Sequence, residues 1–219
     1  MPIWIKICGN TSLEDARSAV EAGADAVGFV FARSPRRVTR ELVAAIVPHL
    51  PATVEKIGVF VDAALDEIVA TVQHSGLTGV QLHWEAEPEL PARLHERLGP
   101  ELRILRVIHF SAVSAAQHAA RIAEHSPHIH ATLVDSRTSA AMGGTGLAYD
   151  WEKAGQTLFQ NAREHRLIAA GGLKPENVAE AIRALRPWGV DAVTGVEAAP
   201  GRKDHARVRE FIRLARSVR

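Results

Sequence analysis

The chain has 219 residues, 47% of them hydrophobic and 23% charged, enough to bury one sizeable core. Its 26 Lys and Arg nearly cancel its 25 Asp and Glu, so no strong field is available to hold nucleic acid or an anionic membrane. A single cysteine, Cys8, excludes an intrachain disulfide framework and fits a reducing compartment, and no apolar run approaches the roughly 20 residues of a membrane-spanning helix.

The first apolar run, Trp4–Cys8, is interrupted by Lys6 and followed at once by Gly9-Asn-Thr, which argues against a signal peptide. A helical stretch near 13–22 comes next, with Thr11 and Glu14 spaced as a capping box. The second run, Ala26–Phe31, leads to a helix near 40–50 with Thr39 as a candidate N-cap. After Val54–Val61, with Asp62 as a further candidate cap, Leu65, Ile68, Val69 and Val72 give the i, i+3, i+4, i+7 stripe of an amphipathic helix. Gly79–His83, Ile104–His109 and Ala131–Asp135 are followed by helix-like segments near 88–98, 112–125 and 150–163. Leu167–Ala170 precedes the stripe Val178, Ala181, Ile182, Leu185, with Pro175 suited to its first turn. Val190–Thr194 precedes the stripe Val208, Phe211, Ile212, Ala215, and the Arg-rich stretch from Arg202 to Arg219 reads as a solvated helix face.

Eight short runs rich in Val, Ile or Leu alternate with eight helices, at about 27 residues per unit, the pattern of parallel strands covered on both faces. The expected fold is α/β: one domain over residues 1–219, a (β/α)8 or TIM barrel. An open doubly wound sheet is the rival, but no dinucleotide fingerprint is present. Gly23-Ala-Asp-Ala-Val27 and Gly189-Val-Asp-Ala-Val193 form an internal echo, each leading from a helix end into a strand.

Barrel chemistry gathers at the carboxyl ends of the strands. Cys8, Arg36, His83, His109 and Asp135 pass that filter, as do Gly143-Gly144-Thr145-Gly146, Gly171-Gly172 and Thr194-Gly195. Cys8 taken alone is a small buried hydrophobe; at the rim it is a candidate base if a cation such as Lys6 lies near. Asp135 either caps a turn or points into the enclosed site. An acid and a base on different sides of one substrate is what a proton-shifting isomerisation needs. The glycine loops after strands six to eight offer bare N–H groups to a phosphate. Arg36, with Arg33 and Arg37 as competitors, suits a carboxylate. His125, His128 and His130 have the spacing of metal ligands but precede a strand, on the structural face, so no metal is assigned to them.

Lys6-Ile-Cys-Gly-Asn-Thr11, Ser34-Pro-Arg36, Gln81-Leu-His83, Leu133-Val-Asp-Ser136, Gly143-Gly-Thr-Gly146, Ala170-Gly-Gly-Leu173 and Gly195-Val-Glu197 with Gly201-Arg-Lys-Asp204 occur in that order. The chain resembles the phosphoribosylanthranilate isomerase family of tryptophan biosynthesis over essentially its whole length. The resemblance implies a cofactor-free Amadori rearrangement of an aminoribose phosphate. It makes Asp135 the general acid that opens the ribose ring and Cys8 the general base that removes the C2′ proton. Arg36 then meets the anthranilate carboxylate, and Gln81, His83, Gly144, Gly146, Gly171, Gly172, Thr194 and Gly195 bind substrate, the glycine loops holding its phosphate. The chain departs from the family pattern at Trp84, at Val193-Thr194, and in a loop after strand two that is one residue shorter. The expectation is a cytoplasmic, monomeric enzyme that takes a small phosphorylated substrate and binds neither nucleic acid nor membrane. A Lys6 Schiff-base enzyme and a non-catalytic phosphometabolite-binding barrel are the rivals; for Lys6 a charge pair inside the barrel is the preferred reading.

Overall fold

The computed structural model describes residues 2–83, 87–109, 127–135, 158–159 and 165–218. Its strands are β1 (Trp4–Ile7), β2 (Ala26–Val30), β3 (Glu55–Phe60), β4 (Gly79–Leu82), β5 (Arg103–His109), β6 (Ala131–Asp135), β7 (Leu167–Ala169) and β8 (Gly189–Ala192). They close in chain order into one parallel barrel, sealed where β1 pairs with β8 and Lys6 lies opposite Asp191. This is the expected (β/α)8 barrel. Six of the eight strands stop one or two residues short of their apolar runs, while β5 and β6 reach the ends of theirs at His109 and Asp135.

The described helices are α1 (Leu13–Glu21), α2 (Arg40–Ile46), α3 (Leu65–Ser75), α4 (Leu90–Leu98), α5 (Val178–Leu185) and α6 (His205–Ser217). The helix expected near 112–125 lies outside the described residues, and of that near 150–163 only Leu158 and Phe159, both buried, are described. The apolar stripes of the described helices pack on the outer faces of the strands. Ile68, Val69, Val72, Val178, Ala181, Leu185, Val208, Phe211 and Ala215 all belong to this outer core. A second, smaller cluster holds Trp4, Ala26, Ile57, Leu105, Val107, Ala131, Leu133, Ile168 and Ala170. Its members alternate along their strands, so they face the barrel axis.

Some caps differ from expectation. Ser12, not Thr11, caps α1 by accepting from the Asp15 N–H, while the Thr11 hydroxyl donates to the Gly201 carbonyl. Thr39 caps α2 as expected, by accepting from the Leu42 N–H. Asp62 turns the chain at φ 52 and the N-cap of α3 is Ala64. Pro175 falls two residues before the Asn177 N-cap of α5. Where the cap shifts, at α1, α3 and α5, the chain takes another residue or two to swing from strand end to helix start.

A short antiparallel hairpin, β9 (Glu197–Ala199) and β10 (Arg202–Lys203), follows β8, and alternation gave no sign of it. It corrects the reading of the basic C-terminal stretch as wholly solvated. Lys203 is buried, and Arg216 caps backbone carbonyls of Ile3 and Gly23 while pairing with Asp25 at 2.7 Å.

His128 and His130 lie ahead of β6, at the amino end of the barrel as expected; His125 is outside the described residues. That end is closed by Trp4 stacked on Trp188 at 5.2 Å, with the His130 ring edge-on to Trp188. Burial, then the neighbouring Arg103 and Arg166, hold the His130 pKa down at about 4, from an ordinary 6.5. The unfolded chain therefore takes up a proton before the folded one does, and stability falls with pH between about 6.5 and about 4. Urea titrations across that window are expected to show the loss, and His130→Gln is expected to flatten it.

Candidate active site

Alternation places Trp4, Lys6 and Cys8 on the inner side of β1 and its end, and Gln81 with His83, His109, Asp135 and Asp191 on the inner sides of their strands. The hydrogen bonds agree. Lys6 Nζ donates across the barrel to Gln81 Oε1 and to Asp191 Oδ1, both at 2.9 Å. Lys6 is completely buried, so its ammonium persists only because a carboxylate and an amide oxygen replace its water. Burial opposes that charge, but Asp191 and Cys8 outweigh it and hold the Lys6 pKa above its usual value.

One layer above, at the carboxyl end, sit Cys8 and Asp135, 3% and 6% exposed. His109 is the register partner of Asp135, and the half-buried rings of His83 and His109 lie 5.7 Å apart. The barrel thus gathers Cys8, His83, His109 and Asp135 at one end. Burial pushes the Cys8 thiol up; Lys6 pulls it back, Asp191 pushes it further up, and the net shift is upward.

Room for the thiol comes from glycine. A Cβ on Gly28 of β2 would lie 2.5 Å from Cys8 Sγ. Gly9, at φ 75, lets Arg36 pass over the backbone, since a Cβ there would come 2.9 Å from Arg36 Cδ. Arg36 is the member of the arginine triplet with a partner. Its Nε and Nη2 donate to the two oxygens of Glu197, each at 2.7 Å, while Arg33 and Arg37 are exposed. The Arg36 backbone N–H also donates to Ser34 Oγ. Lys203 completes the group, donating to the Cys8 carbonyl at 2.6 Å and to Glu197 Oε1 at 3.3 Å.

Gly171 and Gly172 follow β7 at φ 82 and φ 67, a backbone that only glycine takes without strain. Thr194 and Gly195 begin a 3-10 turn after β8. The two loops lie against each other, since a Cβ on Gly195 would come 2.0 Å from the Leu173 carbonyl oxygen. Gly144, Gly146 and Trp84 are outside the described residues.

A sequence profile of the family described as N-(5'phosphoribosyl)anthranilate (PRA) isomerase matches residues 5–214. The chain belongs to that family. An N-(5'-phosphoribosyl)anthranilate isomerase of Pelobacter propionicus is 43% identical over 218 residues, 99% of this chain and 97% of the relative. The crystal structure of phosphoribosyl anthranilate isomerase from Thermotoga maritima superposes with a TM-score of 0.85 at 37% identity, covering 97% of this chain and 98% of that one. A further isomerase, in complex with reduced 1-(o-carboxyphenylamino)-1-deoxyribulose 5-phosphate, matches at TM-score 0.81 and 35% identity, covering 97% and 98%.

Reading by strand ends alone missed Asp191, Glu197, Lys203 and Gly28. Asp191 stands within the internal echo, and Glu197 and Lys203 within the family pattern Gly-Val-Glu and Gly-Arg-Lys-Asp, but nothing local marks them as partners of Lys6 and Arg36. Asp191→Leu, which strands the Lys6 ammonium in the interior, is expected to cost about 3–5 kcal/mol in urea unfolding. Lys6→Met combined with Asp191→Leu is expected to recover most of it.

Proposed function

We propose that Asp135 and Cys8 divide the proton transfers of an Amadori rearrangement between them, with N-(5'-phosphoribosyl)anthranilate as substrate. The activity is the family's own: the chain is an isomerase of tryptophan biosynthesis. The observation that carries the division of labour is that Cys8 and Asp135, on separate strands of one ring, are both buried and inward-facing at the carboxyl end. Asp135, entering protonated, gives its proton to the ribose ring oxygen as the C1′–O bond breaks and a Schiff base forms. Cys8 as thiolate then takes the C2′ proton, and the electron pair moves into the enolamine, which relaxes to the ketone.

Substrate binding follows from the same layout. Arg36 offers the Nη1/Nη2 edge of its guanidinium, the one Glu197 leaves over, to the anthranilate carboxylate. Gly171, Gly172, Thr194 and Gly195, with Gly144 and Gly146, hold the phosphate through backbone N–H groups. His83 faces the substrate from β4, and Gln81 acts from the layer below through Lys6. The product analogue bound to the related isomerase carries both a carboxyl group and a phosphate, and so supports two anion subsites. Residues 1–219 work as one barrel domain, a cytoplasmic monomer. Among the described residues no helix is long and apolar enough to cross a membrane. A lysine nucleophile fits poorly, because the Lys6 ammonium is fully buried and ion-paired beneath Cys8.

Cys8→Ser and Asp135→Asn are each expected to lower kcat by about 10²- to 10⁴-fold, the usual worth of a positioned acid or base. The assay is the loss of phosphoribosylanthranilate fluorescence; either variant retaining wild-type turnover overturns its role. Burial holds the thiol above its ordinary pKa, so only a minor fraction is thiolate at neutral pH.

A further inference from the structure

Arg36 is held by one carboxylate before any substrate arrives, and that poses an electrostatic difficulty. Glu197, only 5% exposed in its side chain, grips the Nε/Nη2 edge of the guanidinium with two bonds of 2.7 Å. The pair by itself is neutral. A second carboxylate laid on the other edge would leave one arginine between two anions in a largely dehydrated corner, which is an unfavourable arrangement.

Lys203 resolves it. Its side chain is fully buried, and its Nζ faces three acceptors: the Cys8 carbonyl at 2.6 Å, Glu197 Oε1 at 3.3 Å and the Val193 carbonyl at 3.4 Å. Three acceptors suit the three protons of an ammonium; a neutral amine would point its lone pair at one of them. The nearby Lys6 and Asp191 cancel each other. Burial lowers the Lys203 pKa and the adjacent Glu197 works against that; with the ammonium kept by its three acceptors, Arg36, Glu197 and Lys203 together carry one net positive charge, the complement of a single carboxylate. Glu197 Oε1 also accepts from the Gly201 N–H, so the hairpin β9–β10 locks this group in place.

We infer that Lys203 is the second cation of the carboxylate subsite, supplying the charge that lets Arg36 accept the aromatic carboxylate while Glu197 fixes which edge Arg36 presents. Lys203 and Glu197 are positioning residues here; neither needs to touch the substrate. The inference rests on the reading of Arg36 above.

The test compares two substrates, N-(5'-phosphoribosyl)anthranilate and the analogue carrying aniline in place of anthranilate. Their ratio of kcat/KM measures what the carboxylate contributes. In the wild type the ratio is expected to favour the carboxylated substrate. In Lys203→Met the ratio is expected to fall about tenfold or more, the scale of one charge removed from a partly desolvated site. Lys203→Gln, which also removes the charge but keeps a donor for the Cys8 carbonyl, serves if the methionine variant does not fold, with the same fall expected. A merely structural lysine would lower kcat/KM for both substrates alike and leave the ratio unchanged, which overturns the inference. A wild-type ratio near one instead overturns the reading of Arg36, and the inference with it.

Discussion

The barrel is closed around a charge. Lys6 and Asp191 face each other across the β1–β8 seam, the last pairing the chain makes, and their side chains meet inside it at 2.9 Å. An ammonium there is fully buried, so its position is dictated by the groups that replace hydration, Asp191 and Gln81 foremost among the described residues. Because Gln81 comes from β4, well round the ring from β1 and β8, the trio fixes the barrel across its interior as well as along its seam. Apolar residues could fill the same space with equal or better stability. What the buried pair adds is an ammonium held in a fixed place beneath Cys8, its charge balanced by Asp191.

Around Cys8 the constraint becomes one of room. Its thiol lies where a side chain on Gly28 would be, its carbonyl is taken by Lys203, and the neighbouring Gly9 yields its space to Arg36. Two side chains with charged heads, Arg36 and Lys203, thus approach one short stretch of backbone. The charges are tolerated because they are counted against each other: Glu197 against Arg36 and Lys203, Asp191 against Lys6. The hairpin after β8 exists to deliver two of them, since Glu197 and Lys203 occupy its two strands.

The two ends of the barrel divide the work. The amino end is shut by stacked indoles and by a histidine kept neutral between two arginines, an arrangement that packs and seals. The carboxyl end holds the thiol, the carboxyl group and the glycine loops. There, Nδ1 of His109 is buried with no hydrogen-bond partner among the described residues. Stability is concentrated in the first and spent on function in the second.

Much of this was legible in the residues themselves. Eight apolar runs separated by helical stripes define a parallel barrel, because strand and helix periodicities are local properties of the chain. Once the barrel is given, its polarity sorts Cys8, Arg36, His83 and Asp135 to the chemical end and His128 and His130 to the other. The family pattern adds roles to those positions. Cap positions slipped by a residue or more, Thr11 for Ser12 and Asp62 for Ala64, since the path between elements depends on packing that local propensity does not encode. The partnerships lay furthest out of reach. Lys6 with Asp191 spans a separation of 185 residues, Arg36 with Glu197 one of 161, and Cys8 with Lys203 one of 195. A sequence displays each charge, but a buried charge acquires its meaning from the group that replaces its water, and only closure of the barrel chooses that group.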